Sequence, residues 1–233
     1  MLKKIVITGG HGRFAQILKR DNKKLNILYP NKKELNILDA NSIKRYLKKN
    51  KPQYLIHAAA LSRPMNIHDK QISKSIDLNI IGTSNIVKIC SDFKIKLIYF
   101  STGYVYEGRV GNYKETDPVL PVNNYAWSKL GGECAVAMYK HSLILRITMC
   151  EKPFLHEYAF HDINANFIFH EEVVKIIPKI LDKTGVLNIG GKIQSIYSFA
   201  KKTNKNVKKK YGKKLFPKNV SMNVGKLNKI MKW

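Results

Sequence analysis

Two kinds of hydrophobic pattern take turns along the chain. Short apolar runs, several rich in β-branched residues, lie at Lys4–Thr8, Leu25–Tyr29, Gln53–His57, Lys96–Phe100 and Ser142–Ile147 and read as strands. Between them, apolar residues recur at helical spacing over Arg13–Arg20, Asn41–Asn50, Ile72–Asp92 and Asn123–Tyr139, with Asn41 or Ser42 as the expected cap of the second. Strands alternating with helices predict right-handed crossovers and a doubly wound parallel sheet, an α/β fold.

Beyond Arg146 the pattern loosens. Glu171–Leu181 predicts a helix containing Pro178, Val186–Ile189 a strand and Ser195–Lys202 a short helix. From Lys201 onward the chain carries 12 lysines in 33 residues. This tail reads as partly mobile unless Leu215-Phe216-Pro217 and Ile230-Met231 pin it. The expected division falls at residue 150, with a nucleotide-binding domain over 1–150 and a small substrate-binding portion with the basic tail over 151–233.

Composition adjusts the picture little. A length of 233 residues with 44% apolar content suits a packed globule. No apolar run approaches the roughly 20 residues that cross a bilayer. The start, Met1 to Gly10, reads as a first strand rather than a secretion signal, so the expectation is a cytoplasmic protein without membrane partners. Cys90, Cys134 and Cys150 are too widely spaced for a zinc site or a disulfide framework, and no metal is expected. The formal charge of +26 invites a nucleic-acid reading. That reading is set aside because the lysines are dispersed and only six residues are arginine, a pattern of compositional bias rather than of a dedicated surface.

Chemistry first shows itself in Thr8-Gly9-Gly10-His11-Gly12-Arg13-Phe14-Ala15. Small residues at Gly9, Gly12 and Ala15, placed directly between a strand and a helix, permit a tight turn, close approach of backbone to a diphosphate, and close helix packing. The helix then offers free N–H groups, those of Arg13 and Phe14 among them, to the phosphates. The fold is therefore expected to be of the Rossmann type with a bound dinucleotide. After the second strand, Tyr29-Pro30-Asn31-Lys32-Lys33 offers lysines before any acid, which favours NADP(H) over NAD(H), with Lys32 and Arg13 as candidates for the 2′-phosphate. Asp39 is a candidate for the adenine amino group or, alternatively, a helix cap. Ala58, Ala59 and Ala60 would let the cofactor lie against the sheet.

Tyr125 and Lys129 stand one helical turn apart, and a lysine cation beside a phenol would lower its pKa and make Tyr125 a usable acid or base. The same spacing occurs at Tyr29/Lys33 and Tyr197/Lys201, but only Tyr125 opens a helix after the strand that ends at Ser101-Thr102. Thr102, at the carboxyl end of that strand, is placed to bond a substrate oxygen.

The glycine turn, His57-Ala58-Ala59-Ala60, Asn79-Ile80-Ile81-Gly82-Thr83, Ser101-Thr102-Gly103-Tyr104-Val105-Tyr106-Glu107-Gly108, Glu115-Thr116-Asp117-Pro118 and Tyr125-x-x-x-Lys129 occur in order. Together they resemble the extended short-chain dehydrogenases/reductases that act on nucleotide sugars, the dTDP-4-dehydrorhamnose reductases most of all. The resemblance covers residues 1–150 and continues weakly to the end. It implies that Tyr125 protonates a C4 oxygen, Lys129 binds the nicotinamide ribose and tunes Tyr125, and Thr102 orients the sugar. The resembled reductases usually carry Asp after the Thr, family dehydratases Asp-Glu, and GDP-fucose epimerase-reductases a Cys one residue further; here these positions are Gly103 and Tyr104, departures from all three patterns. The 87 residues after Arg146 are fewer than the family usually has. Arg63 and His156 are candidates for the substrate, His161 stands with His156 in the same loop region, and Arg146 reads as structural.

Three functions follow as expectations. The first is an NADPH-dependent reductase of a 4-keto nucleotide sugar. The others are a nucleotide-sugar 4-epimerase that keeps its NAD(P), and a non-catalytic NADP-binding regulator. Ile72–Asp92 and Asn123–Tyr139, both apolar-striped, suggest a homodimer.

Overall fold

A computed structural model describes residues 3–213 and 216–233. Met1 and Leu2, and Leu215 of the expected tail anchor, lie outside the described residues. Six strands form one parallel sheet: β1 Lys4–Thr8, β2 Asn26–Leu28, β3 Tyr54–His57, β4 Lys96–Phe100, β5 Ser142–Ile147 and β6 Gly185–Ile189. Their order across the sheet is β6-β5-β4-β3-β1-β2. The reversal of winding between β1 and β3 opens a crevice at the carboxyl ends of the strands.

Alternation along the strands builds two apolar layers. Ile5 and Ile7 of β1, with Ile56 and Ile98, face α1 (Arg13–Asp21), α5 (His170–Ile180) and Leu227 of α7 (Gly225–Met231). Val6, Leu55, Leu97 and Ile144 face α2 (Ala40–Asn50), α3 and α4 (Asn124–Ala137). Helix α3 runs through Ile72–Ile76, a π-helical turn at Asp77–Ile81 and Gly82–Asp92. Within it Thr83 and Ser84 donate their hydroxyls back to the carbonyls of Asn79 and Ile80. The cap of α2 is Asp39, not Asn41 or Ser42; its carboxylate accepts from the N–H groups of both.

Residue 150 is not a boundary within the sheet, because β6 and two helices of one layer come from beyond it. What stands apart is a small lobe around Phe154, Ala159, Phe169, Phe199 and Val207. Two of its elements are the strand Tyr158–Phe160, paired with Lys208–Lys210, and the helix α6 (Ile196–Lys201). The tail does not hang free: Met222 is fully buried, and Ile230 and Met231 pack on the sheet core. Among the described residues, no helix is long and apolar enough to cross a membrane, and no cluster of metal-ligating side chains occurs.

Candidate active site

The crevice begins at the glycine turn. Gly9 has φ +68°, and a Cβ there would meet the Ala59 Cα at 3.0 Å, so the turn lies directly on the alanine connection after β3. Gly12 donates to the Gly9 carbonyl at 2.7 Å and caps α1 without a side chain. The first-turn N–H groups therefore have no partner in the helix and face the crevice with the positive end of the helix dipole. This uncapped, glycine-lined end fits a diphosphate. Phe14 contributes only its backbone, since its ring is buried against Phe100 at 5.0 Å. Lys32 and Lys33 are exposed after β2. The nearby acid, Glu34, is exposed and accepts from the Asn31 N–H at 2.8 Å. Arg13 does not turn toward that end; it reaches Ser62 Oγ at 3.3 Å on the β3 side. Asp39 gives Oδ1 to the α2 cap.

A buried polar chain ties this turn to α4. Thr83 donates to the Asn79 carbonyl, so it accepts from His57 Nε2 at 3.0 Å. His57 Nδ1 is then left to accept from Thr8 Oγ1 at 2.7 Å, and Thr8 in turn accepts from the Ala59 N–H. Burial, with Lys129 nearby, pushes the His57 pKa down to about 3 and keeps the ring neutral. Asn79, aimed inward from the π turn, exchanges two bonds with the Leu61 backbone and donates to Ser128 Oγ at 2.8 Å. The sequence reading quoted Asn79 only as part of a motif; the backbone defect that aims it has no simple sequence signal.

Thr102 follows the carboxyl end of β4 and acts on Tyr125, which opens α4, with Lys129 one turn further along that helix. Asn123 caps α4 by accepting from Ala126 N–H at 2.8 Å, which sets Tyr125 in the first turn and Lys129 one turn on. Thr102 is buried, and its hydroxyl acts on the Tyr125 phenol. Burial, reinforced by Tyr104, pushes Tyr125 up to about 12, while Thr102 and Arg63 pull the other way. Lys129 is buried with its Nζ 4.2 Å from the centre of the Tyr99 ring, and burial drives its pKa down to about 7 against the pull of Glu133. Lys129 is turned onto the Tyr99 ring and burial makes its charge costly, so the tuning of the Tyr125 phenol expected of it has no contact behind it here; Thr102 and, more weakly, Arg63 favour the phenolate.

Gly103 has a reason particular to this chain. A Cβ there would meet Thr148 Oγ1 at 2.7 Å and the Met222 Sδ at 2.9 Å, so the position that carries an acid in the resembled enzymes is filled here by the returning tail. Arg146 is structural, as read: its guanidinium pairs with Glu133 of α4, bonding Oε1 at 3.0 Å through Nε, while Glu133 Oε2 accepts from Ser101 at 2.6 Å. His156 is exposed, edge-on to Phe154, and His161 sits among Tyr197 and Tyr211 in the small lobe. Glu151, which the sequence reading passed over, bonds both Arg13 and Arg63.

Comparison with known proteins places the chain among relatives of two names. Methionine adenosyltransferase 2 subunit beta of Xenopus laevis is 36% identical over 102 residues, 44% of this chain and 30% of that protein. A dTDP-4-dehydrorhamnose reductase of Aggregatibacter actinomycetemcomitans is 27% identical over 150 residues, 62% of this chain and 51% of that enzyme. The chain thus spans about half, or less, of the curated relatives it matches. The crystal structure of the Bacillus anthracis dTDP-4-dehydrorhamnose reductase in complex with NADP superposes with a TM-score of 0.86 at 22% identity, covering 98% of this chain and 91% of the other. At that identity the likeness speaks for the fold, which is of the Rossmann type. The family model described as the RmlD substrate binding domain matches residues 3–151, and the chain belongs to that family.

Proposed function

We propose that the protein is an NADPH-dependent reductase of a 4-keto nucleotide sugar. The observation that supports this reading is a buried Thr102 acting on the Tyr125 phenol, with Lys129 buried one turn on, in a chain whose first helix opens on an uncapped glycine turn. A reduced nicotinamide, when bound, supplies hydride to the C4 carbonyl carbon. The residues of the chain do the rest. Arg13, Phe14 and Ala15 offer N–H groups to the diphosphate, Lys32 and Lys33 lie free for a 2′-phosphate, and the alanine connection Ala58–Ala60 lines the crevice. Tyr125 gives its proton to the C4 oxygen, and Thr102 orients that oxygen and supports the phenolate left behind. Burial keeps the phenol protonated at neutral pH, so it is the acid form that meets the C4 oxygen. Lys129 is placed to meet the nicotinamide ribose. The small lobe around Phe154, Ala159, Phe199 and Val207, with Arg63 near the mouth, is the natural place for the nucleotide sugar. His156 would join only from its exposed position.

Calorimetric titration tests the cofactor: NADPH is expected to bind at least about ten-fold more tightly than NADH, a difference of about 1.4 kcal/mol. Equal affinities would remove the role given to Lys32 and Lys33. A second reading, a cofactor-binding regulatory subunit, is favoured by the relatives named as subunit beta of methionine adenosyltransferase 2. It predicts NADPH binding with no turnover of any 4-keto sugar nucleotide. A 4-epimerase would instead be purified with its cofactor retained.

Exposed Ile72, Ile76 and Ile81 on α3 and Trp127 on α4 support a homodimer formed through these helices. Light scattering is expected to give twice the 26.7 kDa chain mass, and a monomer at working concentration would rule this out.

A further inference from the structure

One cluster of charges beside the triad is unused by the reaction above. Glu151 follows the short strand Met149–Cys150, and its side chain is 17% exposed. Its Oε1 forms an ion pair with Arg13, whose Nε lies 3.1 Å away, and its two oxygens accept from Arg63 Nη1, each at 3.1 Å. The three residues come from three separate connections at the carboxyl edge of the sheet: the turn into α1, the segment after β3 and the segment after β5. Two guanidinium groups beside an uncapped helix end are apparatus for a phosphate-bearing ligand. Here an internal carboxylate takes their bonds.

The geometry points to Glu151 as a resident anion that latches Arg13 and Arg63 across the mouth of the crevice, and that the diphosphate of the dinucleotide displaces from Arg13. This rests on the cofactor reading given above. Glu151 and an incoming phosphate compete for the same guanidinium charge of Arg13, and the phosphate brings acceptors that the ion pair lacks. A carboxylate left beside an incoming diphosphate also repels it, and only partial exposure to water screens that repulsion. Arg63 keeps its own bonds to Glu151, which holds the segment after β3 in place while Arg13 turns. The latch thus sets a threshold: a ligand must carry enough negative charge at the helix end to outbid Glu151.

The test is calorimetric titration of the full chain and of E151Q with two probes, NADPH and inorganic pyrophosphate. E151Q is expected to bind both about ten-fold more tightly, the worth of one removed charge at about 1.4 kcal/mol. Adding Arg13→Gln to E151Q is expected to return pyrophosphate affinity to the wild-type level. Unchanged or weaker pyrophosphate binding by E151Q would overturn the latch, as would indifference of E151Q to the loss of Arg13. If pyrophosphate tightens as expected while NADPH binds neither form, the latch stands and the cofactor reading falls.

Discussion

Tyr125→Phe is expected to lower kcat on a confirmed 4-keto sugar nucleotide by about 10²–10⁴-fold, the usual worth of a positioned general acid. The substitution removes one oxygen and leaves the ring where it packs, 5.1 Å from the His68 ring. NADPH affinity should therefore stay within about two-fold of wild type, since the phenol is not among the groups that would hold the phosphates. The loss should appear in kcat rather than in cofactor binding. Stopped-flow turnover beside calorimetric NADPH titration separates the two. Retained turnover would remove Tyr125 from the proton-donor role, and a parallel loss of cofactor affinity would mean that the phenol positions the cofactor instead.

Glu133→Ala is expected to destabilise the fold by about 3–5 kcal/mol, because it leaves the Arg146 guanidinium buried without its counter-charge. The side chains of Glu133 and Arg146 are 6% and 8% exposed, so water cannot take the place of the missing partner. The remaining Arg146 bonds, to the Tyr106 hydroxyl at 2.8 Å and the Glu115 carbonyl at 3.3 Å, are to neutral groups. Urea denaturation measures the loss. Replacing both partners with apolar residues, Glu133→Leu with Arg146→Met, should recover most of it, because what is costly is the unpaired charge rather than the absent bond. A loss below about 1 kcal/mol in Glu133→Ala would show that the pair contributes little. Glu133 lies one turn beyond Lys129 on the same helix, so this pair also anchors α4 to β5 directly beneath the candidate catalytic residues.

Much of this site was legible because its chemistry is local. The strand–glycine–helix order at Lys4–Ala15, the turn spacing of Tyr125 and Lys129, and the hydroxyl at the end of β4 are each fixed within a few residues. A parallel sheet places all such strand ends on one edge. Lys96–Phe100 and Ser142–Ile147 were readable to the residue, since strands buried on both faces are continuous apolar runs. Capping was less legible: Asp39, Asn41 and Ser42 are all competent caps, and the choice depended on where the chain entered α2.

The remainder depends on contacts between residues far apart in the chain. Glu151 meets Arg63 across 88 positions, and Tyr106 meets Asn188 across 82. The tail threads Met222 beneath Gly103, so the glycine there answers to a residue more than a hundred positions away. The electrostatics were beyond sequence reasoning for a related reason. A lysine one turn from a tyrosine suggests a cation beside a phenol, yet whether it acts as one depends on burial, and burial is a property of the folded surface. By itself the sequence determined the doubly wound sheet and the glycine turn and singled out Thr102, Tyr125 and Lys129 as candidates, because periodicity and local spacing encode them. Only the tertiary structure decided that Lys129 turns onto Tyr99 and that Glu151 pairs with both arginines, because each depends on which distant side chains exclude water from the same few ångströms.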